Sequence, residues 1–201
     1  MTAPTLAPAR PHGVLLQEKV HPSPGQYTGG MVALLPDALT MRNLAVNDRR
    51  ALPPAELHMT LAYLGDDVST WAPGAEGRLL RSLELMVMEA QHELPLTARA
   101  FAHMTFNADG HDGRSPLAAY GIGDTTTLEF LRFATLEACT RAMLGAPLPT
   151  QHAPFVPHIT AGYDLQAADL SYLGPVRFDR LVVSLGSRWV ELSRYGWLDR
   201  P

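Results

Sequence analysis

Two stretches decide how the rest of this chain is read: Pro154-Phe155-Val156-Pro157-His158-Ile159-Thr160-Ala161-Gly162-Tyr163 and Glu56-Leu57-His58-Met59-Thr60-Leu61-Ala62-Tyr63. Each runs His, apolar, Thr, then small or apolar residues, with a Tyr five places after the His. The two histidines stand one hundred residues apart, one in each half of a chain of 201 residues. In a strand, side chains at i and i+2 share a face. His58 therefore projects with Thr60, and His158 with Thr160, while Met59, Leu61, Ile159 and Ala161 turn toward a core. By the same alternation Tyr63 and Tyr163 belong to the core face, unless a bulge intervenes. The repetition predicts a duplicated unit that offers two imidazoles and two hydroxyls to one cleft.

Around these stretches the elements follow from periodicity and punctuation. Gly29-Gly30 leads into a buried strand, Met31 to Leu35, stopped at Pro36, with Asp37 as N-cap of a short helix through about Val46. Pro73 to Glu93 has the spacing of an amphipathic helix, and Thr125 to Leu144 is a second, ended by Gly145 and Pro147. Strands are expected over Leu96–Phe106 and Leu117–Ile122, with a polar hairpin loop between them, and over Val176–Leu185 and Trp189–Trp197. The pattern is α+β with mostly antiparallel strands and one long helix per half.

Residues 1–27 are proline-rich and read as an extended N-terminal arm, leaving residues 28–201 as a single domain whose lobes share a core. No run of about 18 apolar residues is present, so no membrane partner is expected, and there is no secretory signal pattern. Cys139, the single cysteine, reads as a small core residue and fits a cytoplasmic location. The net charge of −4 argues against a protein that grips long duplex nucleic acid. Fifteen of the sixteen basic residues are arginine, a bias better explained by a GC-rich genome than by phosphate binding.

Two imidazoles at one pocket make an acid–base pair near neutral pH, each able to contribute roughly 10²–10⁴ in rate. Two Thr hydroxyls can hydrogen-bond phosphate oxygens as charge shifts in the transition state. Together these are what a phosphodiester needs for cleavage without a metal or cofactor. Tyr120, Phe155, Trp189 and Trp197 are candidates for stacking on a base, and Arg188 for a further phosphate contact. His103-Met104-Thr105 repeats the pattern a third time and is read as a secondary wall of the cleft or plain surface. A zinc site from His58, His103 and His158 and a cation loop at Asn107, Asp109, His111 and Asp112 are weaker readings. No phosphate-binding glycine loop with a Lys-Ser/Thr accompanies these residues.

The pair His58-Met59-Thr60-Leu61 and His158-Ile159-Thr160-Ala161 resembles the paired H-x-T motifs of the two-histidine (2H) phosphoesterase superfamily, nearest its 2′-5′ RNA ligase-like and cyclic phosphodiesterase-like members. The resemblance spans about residues 28 to 198. It implies a bilobal fold of two similar halves whose antiparallel sheets face a central groove. It also implies metal-free cleavage of RNA-type phosphodiesters, with His58 and His158 catalytic and Thr60 and Thr160 binding phosphate. Substrates implied are 2′-5′ linkages, 2′,3′-cyclic phosphates, and cyclic or 2′-5′ oligonucleotide immune signals. Some phage members are similar in having Met31-Val32-Ala33-Leu34-Leu35-Pro36 before Ala55-Glu56-Leu57-His58-Met59-Thr60-Leu61-Ala62-Tyr63-Leu64-Gly65, which points to an anti-defence enzyme. The expected protein is a monomer acting on a small nucleotide or short RNA. The alternatives are a module that sequesters a nucleotide without cutting it and an enzyme that joins RNA 2′-5′ ends.

Overall fold

The computed structural model describes residues 14–20, 28–89, 95–108, 115–123 and 126–194. Eight described strands form one antiparallel sheet: β1 (Val14–Val20), β2 (Gly30–Pro36), β3 (Met59–Gly65), β4 (Leu96–Phe106), β5 (Leu117–Gly123), β6 (His158–Tyr163), β7 (Gly174–Leu185) and β8 (Arg188–Arg194). Three α-helices accompany them: α1 (Ala38–Leu44), α2 (Ala75–Glu89) and α3 (Thr126–Ala142). This is the α+β, two-part arrangement the sequence predicts.

The long strand β7 joins the two parts. Its first residues, Gly174–Phe178, pair with β4, which continues to β5 and then β6. Its later residues pair with β8 on Leu181–Leu185 and with β2, which continues to β3. Each half thus ends on the strand carrying one H-x-T motif. Part of the segment read as an arm is also built in, since Val14–Val20 pairs along the whole of β8.

The helices fall where their signals place them. Asp37 caps α1, its carboxylate accepting from Thr40 N at 2.7 Å. On α2, Leu79, Leu83, Met86 and Val87 are buried at helical spacing, as the sequence predicts. Helices α2 and α3 lie together, with Ser82 Oγ donating to Ala138 O and Arg78 Nε to Ala142 O. Beneath them runs the main core, in which Met59, Leu61, Ile159 and Ala161 are all buried and Cys139 is enclosed. The ends expected at Glu93, Thr125 and Trp197 lie outside the described residues, as does the loop with Asp109, His111 and Asp112.

Both motif strands break their alternation at the same point. Thr60 pairs with Ala33 but Ala62 with Val32, so Leu61 has no partner in β2. Likewise Thr160 pairs with Ala119 but Gly162 with Ala118, so Ala161 is the extra residue in β6. Each is a β-bulge one residue after the Thr, and it moves later side chains to the other face. Burial shows the same shift: Leu61 and Ala62 are consecutively buried, as are Ala161 and Gly162. The core placement expected for Tyr63 and Tyr163 is therefore corrected. Tyr63 is half-buried on the Thr60 side, and Tyr163 is 51% exposed.

Candidate active site

The two histidines are held in the same way. His58 Nδ1 lies 2.7 Å from Glu56 O, and His158 Nδ1 lies 2.7 Å from Val156 O. A carbonyl oxygen only accepts, so Nδ1 carries the proton in both rings. In each ring Nε2 is then an acceptor when the imidazole is neutral and a donor when it is charged. Ring packing adds to this restraint. The indole of Trp189 meets His58 edge to face at 6.2 Å, and Phe106 lies 4.8 Å from the His158 ring.

Opposite each threonine the neighbouring strand supplies an alanine, Ala33 for Thr60 and Ala119 for Thr160. Opposite His158 it supplies Gly121. Both Thr side chains are half-buried, and small partners leave space in front of the motif residues. A cavity of about 360 Å³ opens there, with Thr60 and Tyr63 of one half and Phe106, Phe155, Val156 and His158 of the other among its lining. Thus the first motif's hydroxyl and the second motif's imidazole face one volume. His58 and Thr160 are not part of this lining; each stands two residues from one that is, Thr60 and His158 respectively.

The segment before β6 closes the cavity because it pairs with the free edge of β3. Gln151 acts as a substitute strand residue: its Oε1 accepts from Tyr63 N at 2.9 Å and its Nε2 donates to Tyr63 O at 2.8 Å. The chain between α1 and β3 crosses the other way. Leu52 N donates to Ala161 O at 2.8 Å, and Ala51 bridges Gly162. A Cβ on Gly162 would stand 2.5 Å from Arg50 O and 2.8 Å from the Ala51 Cα, so this approach requires glycine. The carbonyls of both bulge residues are thereby satisfied from outside the ladder, Ala161 O by Leu52 N and Leu61 O by Arg132 Nη1 at 2.9 Å.

Three residues expected to contact substrate, Tyr120, Trp189 and Arg188, sit elsewhere. Tyr120 is 1% exposed, its hydroxyl donating to Leu44 O at 3.0 Å, so it offers no face to a base. Burial pushes that hydroxyl up to about 12. Trp189 is 7% exposed in a small cluster with Met31, Ala33, Leu35 and Val182, and so backs His58 instead of stacking on a ligand. Arg188 is bound to Glu76 at 2.6 Å and lies outside the cavity lining. His103 Nε2–H donates to Tyr172 O, 2.9 Å away, and the ring packs on Tyr120, while Thr105 Oγ1 accepts from Ala167 N; the third H-x-T serves structure. Among the described residues no group of three His, Cys, Asp or Glu lies together as a metal site. Phe155 does line the cavity, with the Arg132 guanidinium 4.1 Å over its ring. Trp197 lies outside the described residues.

Sequence reasoning missed Tyr63, Phe106, Asn107, Arg132, Gln151 and His152, all of which line the cavity. Arg132 comes from α3 and carries no motif. The signal that could have found Tyr63 is the matched Tyr five places after each His, which becomes meaningful only once the bulge is known.

Edge strands carrying H-x-T, two halves joined on one sheet and a cavity lined from both halves make up an α+β fold that solved structures share. The chain is similar to Escherichia coli LigT solved with 3′-AMP, at 16% identity and a TM-score of 0.54 over 84% of this chain and 97% of that one. LigT solved with NADP⁺ matches at 16% identity and a TM-score of 0.51, over 84% and 96% of the two chains. TT0787 of Thermus thermophilus matches at 22% identity and a TM-score of 0.50, over 83% and 96%. No protein-family profile and no curated protein matches the sequence. The likeness is one of fold. Among the described residues no helix is long and apolar enough to cross a membrane.

Proposed function

We propose that this chain is a phosphodiesterase that cleaves RNA-type phosphodiester bonds by acid–base catalysis between His58 and His158, with Thr60 and Thr160 holding the phosphate and no metal required. The observation that carries the reading is that Thr60 of one half and His158 of the other line a single cavity. The matched Nδ1 contacts support it, because they fix the same tautomer in both rings, the one in which a neutral imidazole accepts through Nε2.

With a 2′,3′-cyclic phosphate, one neutral Nε2 takes a proton from water as the oxygen attacks phosphorus. The bond from phosphorus to one ribose oxygen then breaks, and Nε2–H of the second ring protonates that leaving oxygen. A 2′-5′ linkage is cleaved by the same pair, with water or a ribose hydroxyl as nucleophile. The two threonine hydroxyls donate to the non-bridging oxygens, where negative charge grows. Either histidine can take either role, since the same Nδ1 contact holds each ring.

The substrate is a small nucleotide, a short RNA end, or a cyclic or 2′-5′ oligonucleotide signal. The likeness to LigT, solved with 3′-AMP and NADP⁺, supports a nucleotide-sized ligand. A phage anti-defence role in a host cytoplasm, as a monomer, fits the motif context. The test is incubation of the protein with a panel of 2′-5′, 2′,3′-cyclic and cyclic dinucleotide substrates, read by mass spectrometry. Cleavage of at least one member, lost in the His58→Ala, His158→Ala double variant, is the expected result. A wild-type protein that binds nucleotides and cuts none is a sequestering module, and end-joined products in place of cleaved ones indicate a ligase.

A further inference from the structure

Several arginines here have an acid beside them: Arg50 has Asp48, Arg81 has Glu84, Arg180 has Asp179 and Arg188 has Glu76. Arg132 differs. Its Nη1 donates to Leu61 O at 2.9 Å and its Nη2 makes a long contact to His152 O at 3.4 Å. Its guanidinium lies on the Phe155 ring. Among the described residues no carboxylate lies within ion-pair distance of it. Burial alone holds its guanidinium below the ordinary arginine range, with no neighbouring acid to offset the effect.

A guanidinium has five N–H donors, and two carbonyl contacts leave part of the fork unused. Arg132 is half-buried, and even partial burial of an unpaired charge is unfavourable; an anion beside it would offset that cost. Arg132 lines the same cavity as Thr60, Tyr63 and His158. Its contact is with Leu61, the residue next to Thr60, which puts the positive charge beside the scissile phosphate's expected position and approaching from α3. An arginine fork matches the spacing of phosphate oxygens.

We propose that Arg132 forms a second phosphate subsite, so that the substrate class is a nucleotide carrying another phosphate next to the one that is cut. This rests on the phosphodiesterase reading above and narrows it. Lone nucleoside cyclic phosphates and unphosphorylated dinucleotides are poor members of the class. Oligonucleotides, cyclic dinucleotides and 5′-phosphorylated ends are good ones.

The experiment compares matched pairs: adenosine 2′,3′-cyclic phosphate with and without a 5′-phosphate, and 2′-5′-linked diadenosine with and without a 5′-phosphate. The wild-type protein is expected to show a KM about tenfold lower for the phosphorylated member of a pair, on the scale of one charge-assisted fork. Arg132→Gln is expected to lose that ratio, and Arg132→Lys to retain part of it. A merely structural role for Arg132 would change both members of a pair alike. Equal KM within the wild-type pairs, or a ratio that survives in Arg132→Gln, overturns the subsite. Calorimetry with adenosine 3′,5′-bisphosphate against 3′-AMP reads the same subsite without turnover, and the bisphosphate is expected to bind about tenfold tighter. Equal affinities overturn the subsite even if the variants fail to fold. Absence of cleavage with the affinity ratio intact sinks only the phosphodiesterase reading.

Discussion

His58 and His158 are fixed by one and the same contact: Nδ1–H of each donates to the carbonyl of the residue two places earlier, at 2.7 Å in both cases. On the proposed mechanism the shared contact lets either ring act as proton carrier, and it sets a first prediction. His58→Ala or His158→Ala is expected to lower turnover by roughly 10²–10⁴ each. Both rings are half-buried rather than in the core, so the folded state is retained. Turnover by mass spectrometry beside circular-dichroism melts checks both halves of the statement. A single alanine variant with wild-type rates removes that ring from the mechanism.

Thr60 and Thr160 face alanines across their strands and sit at equivalent places in the two halves. Thr60→Ala or Thr160→Ala is expected to raise the barrier by about 2–4 kcal/mol, as for loss of one donor to a developing oxyanion. Serine at either position keeps the hydroxyl and recovers most of the rate. The readout is kcat/KM, and a serine variant as impaired as the alanine one contradicts a donor role.

Tyr63 lines the cavity, whereas Tyr163 is exposed and lies outside its lining, although the bulges turn both toward the H-x-T side. Tyr63→Ala is therefore expected to raise KM several-fold more than Tyr163→Ala does. Steady-state kinetics on the pair decides it. Equal effects would mean that the bulge in β3 does not aim Tyr63 at the substrate.

At Gly162 the backbone of residues 50–51 occupies the space of a side chain. Gly162→Ala is expected to destabilise the fold by about 1–3 kcal/mol, the usual range for overpacking. Urea midpoints measure this. The same substitution at Gly77, where an added Cβ meets nothing within 4 Å, serves as control and is expected to be neutral or stabilising.

Alkaline pH tests the core. Burial pushes the Cys139 thiol up to about 12 and the Tyr120 hydroxyl up to about 12. In the unfolded chain these groups ionise near their ordinary values, about 8.5 and about 10. Between those values and about 12 the unfolded chain has released protons that the folded chain keeps. Stability is accordingly full below about pH 8 and declines as pH rises toward 12. Denaturant midpoints at neutral and alkaline pH, with thiol labelling in native buffer, check this. Rapid labelling of Cys139 in the folded protein goes against it.

Much of this molecule was legible in the order of its residues. Strands β2, β4, β5 and β7 stand close to where alternation and proline punctuation put them, and the i, i+2 rule placed His158 with Thr160 on one side of β6. What stayed hidden has physical causes. A bulge changes no residue type, so Leu61 and Ala161 looked like ordinary core positions and Tyr63 was assigned the wrong face. Tyr120 lies in a run, Leu117–Gly123, that is apolar on both faces, so periodicity could not say that its ring was enclosed. Arg188 found Glu76 from a distant helix. Arg132 and Gln151 reach the cavity from a helix and a loop, through contacts with backbone carbonyls and amides that leave no mark in a sequence.

Strand β7 has a consequence for any attempt to divide the protein. Its opening residues hold one motif-bearing half and its closing residues the other. Neither half, expressed alone, could complete its own ladder without borrowing those twelve residues. However alike the halves are, they melt as one: a single calorimetric transition is expected, in which a wound to either motif strand is felt by its twin.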